Sequence, residues 1–400
     1  MKLNVTNLGN KITYLLIIMI VFFYPTSKEG TITTDVSDKS VYIYYAFCVL
    51  IIFLLVLQHS CSVKRTTISL GIVVFLFLST LAGVNILSGR FAIARFLYVI
   101  ISLAIFSLNY KPNLSSKFVL TSLTIITGVL CLWNWALVAK VPLIANITKE
   151  TYSQFVFYTT STFVDSGRPI FTFGIYSYCA FFYAMLFIVW AYILDKKLLD
   201  KKICYFFILN LLAFQFLLRS STGLLLGSVM GYFFLKDLTN RKTGVIFSII
   251  FLIAGAVFIY YQDYNWQRLV IGNSNNGFVS RYLGTLFTDN FVAISNTIIG
   301  IGYCIIDNLH ITYTDSGYIV LATMGGIMLP FVMYYIVYMC INSNLERRYS
   351  VRMFMLFMLF EFALPAIIYP KALIAMAFSF ITLSSLMNVD AEKERNCTNV

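Results

Sequence analysis

The chain has 400 residues, 60% of them hydrophobic and 12% charged, and a formal net charge of +12. Soluble domains carry about 25% charged residues, so a mean hydropathy of +0.83 excludes an ordinary water-soluble globule. Apolar runs of roughly 18 residues recur along the whole length, as in helices that satisfy their backbone groups within a bilayer. The short alternating segments of a β-barrel are absent.

The first run, Ile12 to Tyr24, follows Lys2 and Lys11. The sequence Pro25-Thr26-Ser27-Lys28 lacks a small-x-small cleavage site, so this run reads as a short first span, not a signal peptide. Further spans are predicted over 41–58, 66–84, 91–109, 118–139, 171–194, 203–218, 222–236, 243–261, 317–341, 352–369 and 372–388. The expected fold class is therefore an all-α integral membrane protein of about twelve transmembrane helices, a single polytopic domain over 1–400. Placing the N-terminus inside puts 18 of the 29 basic residues in inner segments. The positive-inside rule then gives an N-in/C-in chain. The net charge is mostly topology and carries no argument for nucleic acid.

Two outer connections are long, 140–170 and 262–316. The second contains "RYLGTLFTDNFVAISNTIIGIG" and has too many Ile, Phe, Leu and Tyr for simple disorder. Both loops are expected to carry short amphipathic helices at the membrane surface. Of the eight cysteines only Cys304 falls in an outer loop, and no Cys/His metal spacing occurs.

Arginine is enriched on the outer side, at Arg90, Arg168, Arg219, Arg268 and Arg281, with Arg95 about one turn inside the fourth span. Guanidinium offers a planar fork suited to phosphate and pyrophosphate. Arg219 occupies a tight turn in "QFLLRSSTGLLLG", above Gly223, Gly227 and Gly231, whose spacing allows close helix approach. The plain alternative is an interface charge at a helix end. Arg168 precedes Pro169 in "DSGRPIFTFG", where Asp165 could simply pair with it. Arg95 could snorkel outward.

Glu361 lies mid-span in "MLFEFALP", and an acid there is costly. It could pair with Arg95 or Lys371, or serve as the proton-coupling carboxylate of a transporter. In "DNLHITYTDSGY", 307–318, His310 is the outer histidine of the two in the chain, the other being His59 on the inner side. His310 or Asp315 could take a proton from an attacking hydroxyl. Equally, Asp315 could cap the tenth span and His310 be a loop residue.

The stretch "RYLGTLFTDNFVAISNTIIGIGY…TDSGYIVLATMGGI" resembles the carboxyl-half signature of the O-antigen polymerase/ligase superfamily. The residues that carry it are Arg281, Gly300 and Gly302, then Asp315, Tyr318, Gly325 and Gly326. "SGRPIFTFGIYSYCAFFY" and "RSSTGLLLG" resemble span edges of the same family, and the likeness covers roughly 165–340.

The resemblance implies a GT-C-like, metal-independent glycosyltransferase without cofactor, a Wzy-type polymerase of the bacterial inner membrane facing the periplasm. It implies transfer of a growing glycan from undecaprenyl pyrophosphate to the non-reducing hydroxyl of a new lipid-linked unit. Membrane lipids, a chain-length regulator and a flippase would be its partners. Arg219, Arg281, Arg168, Arg90 and Arg95 would hold the pyrophosphate, and Asp315 or His310 would be the base. The sister activity, ligation of glycan to lipid A core, uses similar parts. A polysaccharide flippase would keep its cations deep in the spans and lack long outer loops.

Overall fold

The computed structural model describes residues 2–24, 39–87, 90–91, 93–112, 114–152, 159–174, 176–238, 300–305, 316–362, 364 and 366–398. Among these the chain is mostly helical, as an all-α membrane protein should be. The first helices are α1 (Lys2–Ile18, continued by a π turn Met19–Phe23), α2 (Lys39–Gln58), α3 (Val63–Leu87), α4 (Ile93–Ser107) and α5 (Ser116–Val138). The first long loop folds as α6 (Pro142–Tyr152) and α7 (Thr159–Asp165), short helices of the kind expected there. Next come α8 (Tyr176–Asp195), α9 (Lys201–Leu217) and α10 (Ser221–Leu238). The carboxyl-terminal part holds α11 (Gly317–Gly325), α12 (Met328–Asn344), α13 (Arg347–Glu361), a 3-10 turn (Ala366–Ile368) and α14 (Pro370–Thr398). Three of these, over Val63–Asn85, Ser116–Val138 and Tyr176–Asp195, are long and apolar enough to cross a membrane.

Local chemistry sets several starts. Pro142 and Pro370 open α6 and α14, where the missing N–H costs nothing. The Asp200 carboxylate caps α9 at the Lys202 amide, 2.9 Å away. Ser220 Oγ accepts from Gly223 N at 3.0 Å and starts α10.

Helix α8 is buried at every position from Ser177 to Ile193, which an all-round apolar sequence permits only at the centre of a bundle. It packs against α9, α10, α13 and α14. By contrast α3 and α5 are peripheral, with Val74 and Leu78 on one and Ile125 and Leu132 on the other facing outward.

Polar contacts assign the turns to two ends. At one end β1 (Ser60–Cys61) pairs with β3 (Leu108–Asn109), joining the α2–α3 and α4–α5 turns. Arg65, 1% exposed, donates to Ser343 Oγ at 2.8 Å, to the Leu108 carbonyl at 3.1 Å and to Asn109. This brings in the α12–α13 turn. Arg348 bonds Asp195 at 3.1 Å and Asp237 at 2.5 Å, adding the ends of α8 and α10. Arg352 grips Asp237 with two bonds, 2.6 and 2.5 Å long. These turns carry most of the described lysines, and this is the lysine-rich end.

The opposite end contains a departure from the sequence expectation. The tenth span, expected as one helix over 317–341, is broken into α11 and α12 at Gly326, whose φ of 70° and ψ of 179° only glycine adopts readily. Segment 300–303 closes the break. Ile301 N donates to Thr323 O at 3.0 Å and Gly302 N to Met324 O at 2.8 Å, satisfying carbonyls that the end of α11 leaves open. Tyr303 N reaches Thr80 Oγ1 at 3.0 Å, and β4 (Cys304–Ile305) then pairs with β2 (Arg90–Phe91). Gly300 packs its α-carbon on the Met324–Gly325 peptide and Gly302 on Thr80, both at positive φ.

Gly302→Ala should therefore lower the thermal midpoint of the detergent-purified protein, by an equivalent of about 2–4 kcal/mol. Gly71→Ala, where a methyl meets nothing within 4 Å, should not. In the turn after α2, burial of His59 pulls its imidazole from 6.5 down to about 4. The unfolded chain binds the extra proton between these values, so this group's contribution is complete above about pH 6.5 and lost as pH falls toward 4. His59→Gln should flatten the fall in thermal midpoint across that window.

Candidate functional site

The loop that delivers Arg168 is fixed from several sides. After α7, Gly167 adopts φ 71°, lying where a side chain would meet the Val138 carbonyl at 3.2 Å. Arg168 N then donates to Phe163 O at 3.0 Å. The Pro169 carbonyl accepts from Tyr183 OH at 2.5 Å, and Phe171 N donates to Asn134 Oδ1 at 3.0 Å. Asn134 Nδ2 completes the set by donating to Tyr183 OH at 2.7 Å. The Arg168 guanidinium lies beside an edge-to-face ring pair, 5.1 Å from the centre of Phe163 and 5.5 Å from that of Tyr176, whose own centres are 5.1 Å apart. Its Nε is buried and has no hydrogen-bond partner among the described residues.

The expected alternative partner is otherwise engaged. Asp165 pairs with Lys149, reached from α6, and leaves Arg168 without a carboxylate among the described residues. A guanidinium packed on aromatic faces keeps its planar fork of donors, the chemistry that phosphate and carboxylate groups require.

Arg219 follows α9, which packs on α5 through a Trp135–Asn210 hydrogen bond and a tilted Trp135–Phe214 ring contact, and so stands at the same end of the bundle. It occupies the left-handed position that ends α9, φ 50°, with its N–H on Phe216 O at 3.0 Å. Glycine is the usual residue there. Arginine costs about 1–2 kcal/mol of backbone strain, offset in part by a cation at a helix C-terminus. Below it α10 packs tightly on α9, as the glycine spacing predicts. A side chain at Gly223 would meet Gln215 O at 2.5 Å, and one at Gly227 would meet Gln215 Cβ at 2.9 Å.

Arg90 is placed by backbone only, opposite Ile305 in the β2–β4 pair, and Arg95 lies in the first turn of α4. His310, Asp315, Arg268 and Arg281 lie outside the described residues.

Glu361 ends α13 and is fully buried. Its Oε2 accepts from Tyr334 OH at 2.9 Å and its Oε1 from Ile367 N at 2.9 Å. Gly317, the glycine of "DSGY", lies against Oε2 so closely that a Cβ would overlap it. Tyr318 stacks on Tyr334 at 5.0 Å and donates to Met358 O at 2.8 Å. Ser102 of α4 donates to the Ile367 carbonyl. The expected cation is employed elsewhere. Lys371, 4% exposed, donates to Tyr24 O at 2.8 Å and lies 4.6 Å from the centre of Phe173. The N-cap of α11 is Ser316, whose hydroxyl points to Glu361 O at 3.5 Å and makes no side-chain cap.

The arrangement separates two roles. Glu361 is surrounded by donors and closed to solvent, which suits a brace. Arg168 and Arg219 are carried on fixed backbone at the end opposite the lysines, and a guanidinium is the side chain that suits phosphate. Tyr334 and Asn134 were not singled out by sequence, because a tyrosine or asparagine in an apolar run has no distinguishing pattern. Among the described residues no three His, Cys, Asp or Glu side chains gather as metal ligands would. Comparison with protein-family models, with curated proteins and with solved structures returned no match.

Removing Glu361 strands two buried donors, each worth about 1–3 kcal/mol. Glu361→Ala should therefore lower the thermal midpoint sharply. Glu361→Gln, which still accepts from Ile367 and can donate to the Tyr334 hydroxyl, should lower it much less.

Proposed function

We propose that this chain is an integral-membrane glycosyltransferase of the polymerase type, with about twelve spans, N-in/C-in, in a bacterial inner membrane. It extends a glycan by moving it from a polyprenyl pyrophosphate carrier to the non-reducing hydroxyl of the next lipid-linked repeat unit. The acceptor hydroxyl attacks the anomeric carbon, the C–O bond to pyrophosphate breaks, and the carrier leaves with the electron pair. Asp315, or His310, takes the hydroxyl proton, and arginines at the outer end neutralise the departing pyrophosphate.

The observation that carries this reading is Arg168. Its guanidinium packs beside two aromatic rings, its Nε has no hydrogen-bond partner among the described residues, and its sequence neighbour Asp165 is paired with Lys149 instead. A fully dianionic diphosphate needs such preorganised donors more than it needs a general acid. Arg219, kept at a backbone position that favours glycine, supports the same reading. Glu361, its oxygens occupied by Tyr334 and Ile367, weighs against a proton-coupled transporter.

The test is the lipid-linked glycan profile of cells carrying each variant at matched membrane levels of the protein. Arg168→Ala should abolish long chains and leave single repeat units. Arg168→Lys should recover little, because an ammonium lacks the planar fork. Arg219→Gly should also lose long chains, yet keep or raise the thermal midpoint, since glycine relieves the positive φ. Full-length polymer in both Arg168→Ala and Arg219→Gly sinks the proposal. Lipid-linked polymer that builds up unattached in cells lacking the protein indicates ligation instead.

A further inference from the structure

The lysine-rich end has a groove of about 460 Å³ on the outside of the bundle. That is within the roughly 300–1,000 Å³ of small-molecule sites. Lys117, Leu120, Thr121 and Thr124 of α5 line one wall, Leu198 of the α8–α9 connection another, and Leu386 of α14 the floor. From Lys117 to Ile125 it follows α5 for about 12 Å, at 1.5 Å per residue.

Its two halves differ in chemistry. The deep part is aliphatic, since Thr124 Oγ1 is turned back onto the Leu120 carbonyl at 2.8 Å and offers little to a polar guest. The rim is cationic. Lys117 is exposed at the start of α5, and Lys197, Lys201 and Lys202 flank the Leu198–Leu199 wall. None of the four has an acidic partner among the described residues. The one acid within that connection, Asp200, is turned onto the Lys202 amide as a helix cap. Lys11, from α1, lies 5.6 Å from the Phe118 ring and adds to the same side.

A lipid-facing concavity left empty forfeits the contacts of its lining atoms, so in a bilayer an acyl chain fills it. The rim decides which lipid. A cluster of unpaired lysines at headgroup level attracts an anionic head. We propose that this groove is a site for one anionic diacyl phospholipid, its phosphate at Lys117 and one acyl chain running along α5. The site is at the far end of the bundle from Arg168 and does not depend on the transferase reading.

The experiment is native mass spectrometry of the detergent-purified full chain, titrated with phosphatidylglycerol or phosphatidylcholine of identical acyl chains. Phosphatidylglycerol should bind several-fold more tightly. Lys117→Gln should weaken phosphatidylglycerol about fivefold, as expected for one lysine near an anionic surface, and leave phosphatidylcholine unchanged. Thr121→Trp, at an exposed position that fills the groove, should weaken both lipids. Equal binding of the two lipids, or a Lys117→Gln variant with unchanged preference, overturns the proposal. So does glycerol phosphate binding as tightly as phosphatidylglycerol, which makes the rim a simple phosphate site. A Thr121→Trp variant that binds both lipids normally removes the groove as the place where the chain lies.

Discussion

A carboxylate in the interior of an apolar bundle has to be met by donors, and the packing of the carboxyl-terminal helices follows from meeting Glu361. Tyr334 comes from α12, the Ile367 amide from the 3-10 turn, and Gly317 opens α11 beside the same oxygen. Ser102 ties the turn to α4. Leaving such a group unmatched costs several kcal/mol, so these elements are specified together and not one by one. Gly317 is small because the carboxylate occupies the space a side chain would need.

The same carboxyl-terminal region explains why a span can be interrupted without loss. Gly326 ends α11 after nine residues and leaves carbonyls in need of donors. The 301–302 amides fill that need, and the glycines at 300 and 302 let the two backbones approach closely enough to do so. Irregular backbone in a protein interior is stable only when its polar groups are paired, and here the joining residues Ile301 and Tyr303 are both buried. The pairs Gly300/Gly302 and Gly325/Gly326, noticed in the sequence as parts of one signature, meet in one joint.

Hydropathy made the membrane class and most helices legible, because a long apolar run has few other fates. It could not show the break at Gly326, since Leu321 to Pro330 is as apolar as the helices on either side. Short helices were expected in both long loops, and the first holds α6 and α7, while most of 262–316, where the amphipathic spacing was read, lies outside the described residues. Among site residues, the arginines stood out as costly charges in an apolar chain. Their partners did not. Asp165, three residues from Arg168, was the obvious mate by sequence, yet Lys149 arrives from sixteen residues upstream and takes it. Phe163 and Tyr176 come together as a ring pair beside Arg168 only when the chain turns at Gly167 and Pro169. Glu361 was visible as an anomaly, but its donors come from separate segments, and Lys371, one of the two cations expected beside it, is used on Tyr24 and Phe173.

At the lysine-rich end Arg348 and Arg352 bind Asp195 and Asp237, and Tyr349 adds a bond of 2.7 Å to Asp195. Three helices, α8, α10 and α13, are thereby fastened at one extremity by a network that is partly shielded from salt, with Arg352 only 5% exposed. Nothing comparable joins their far ends, among the described residues, where glycine turns and stacked rings predominate. A bundle fastened in this way carries its charged ties at one extremity, so added salt or a charge-removing substitution at Arg348 or Arg352 would weaken that extremity and leave the backbone bonds around Arg168 and Arg219 untouched.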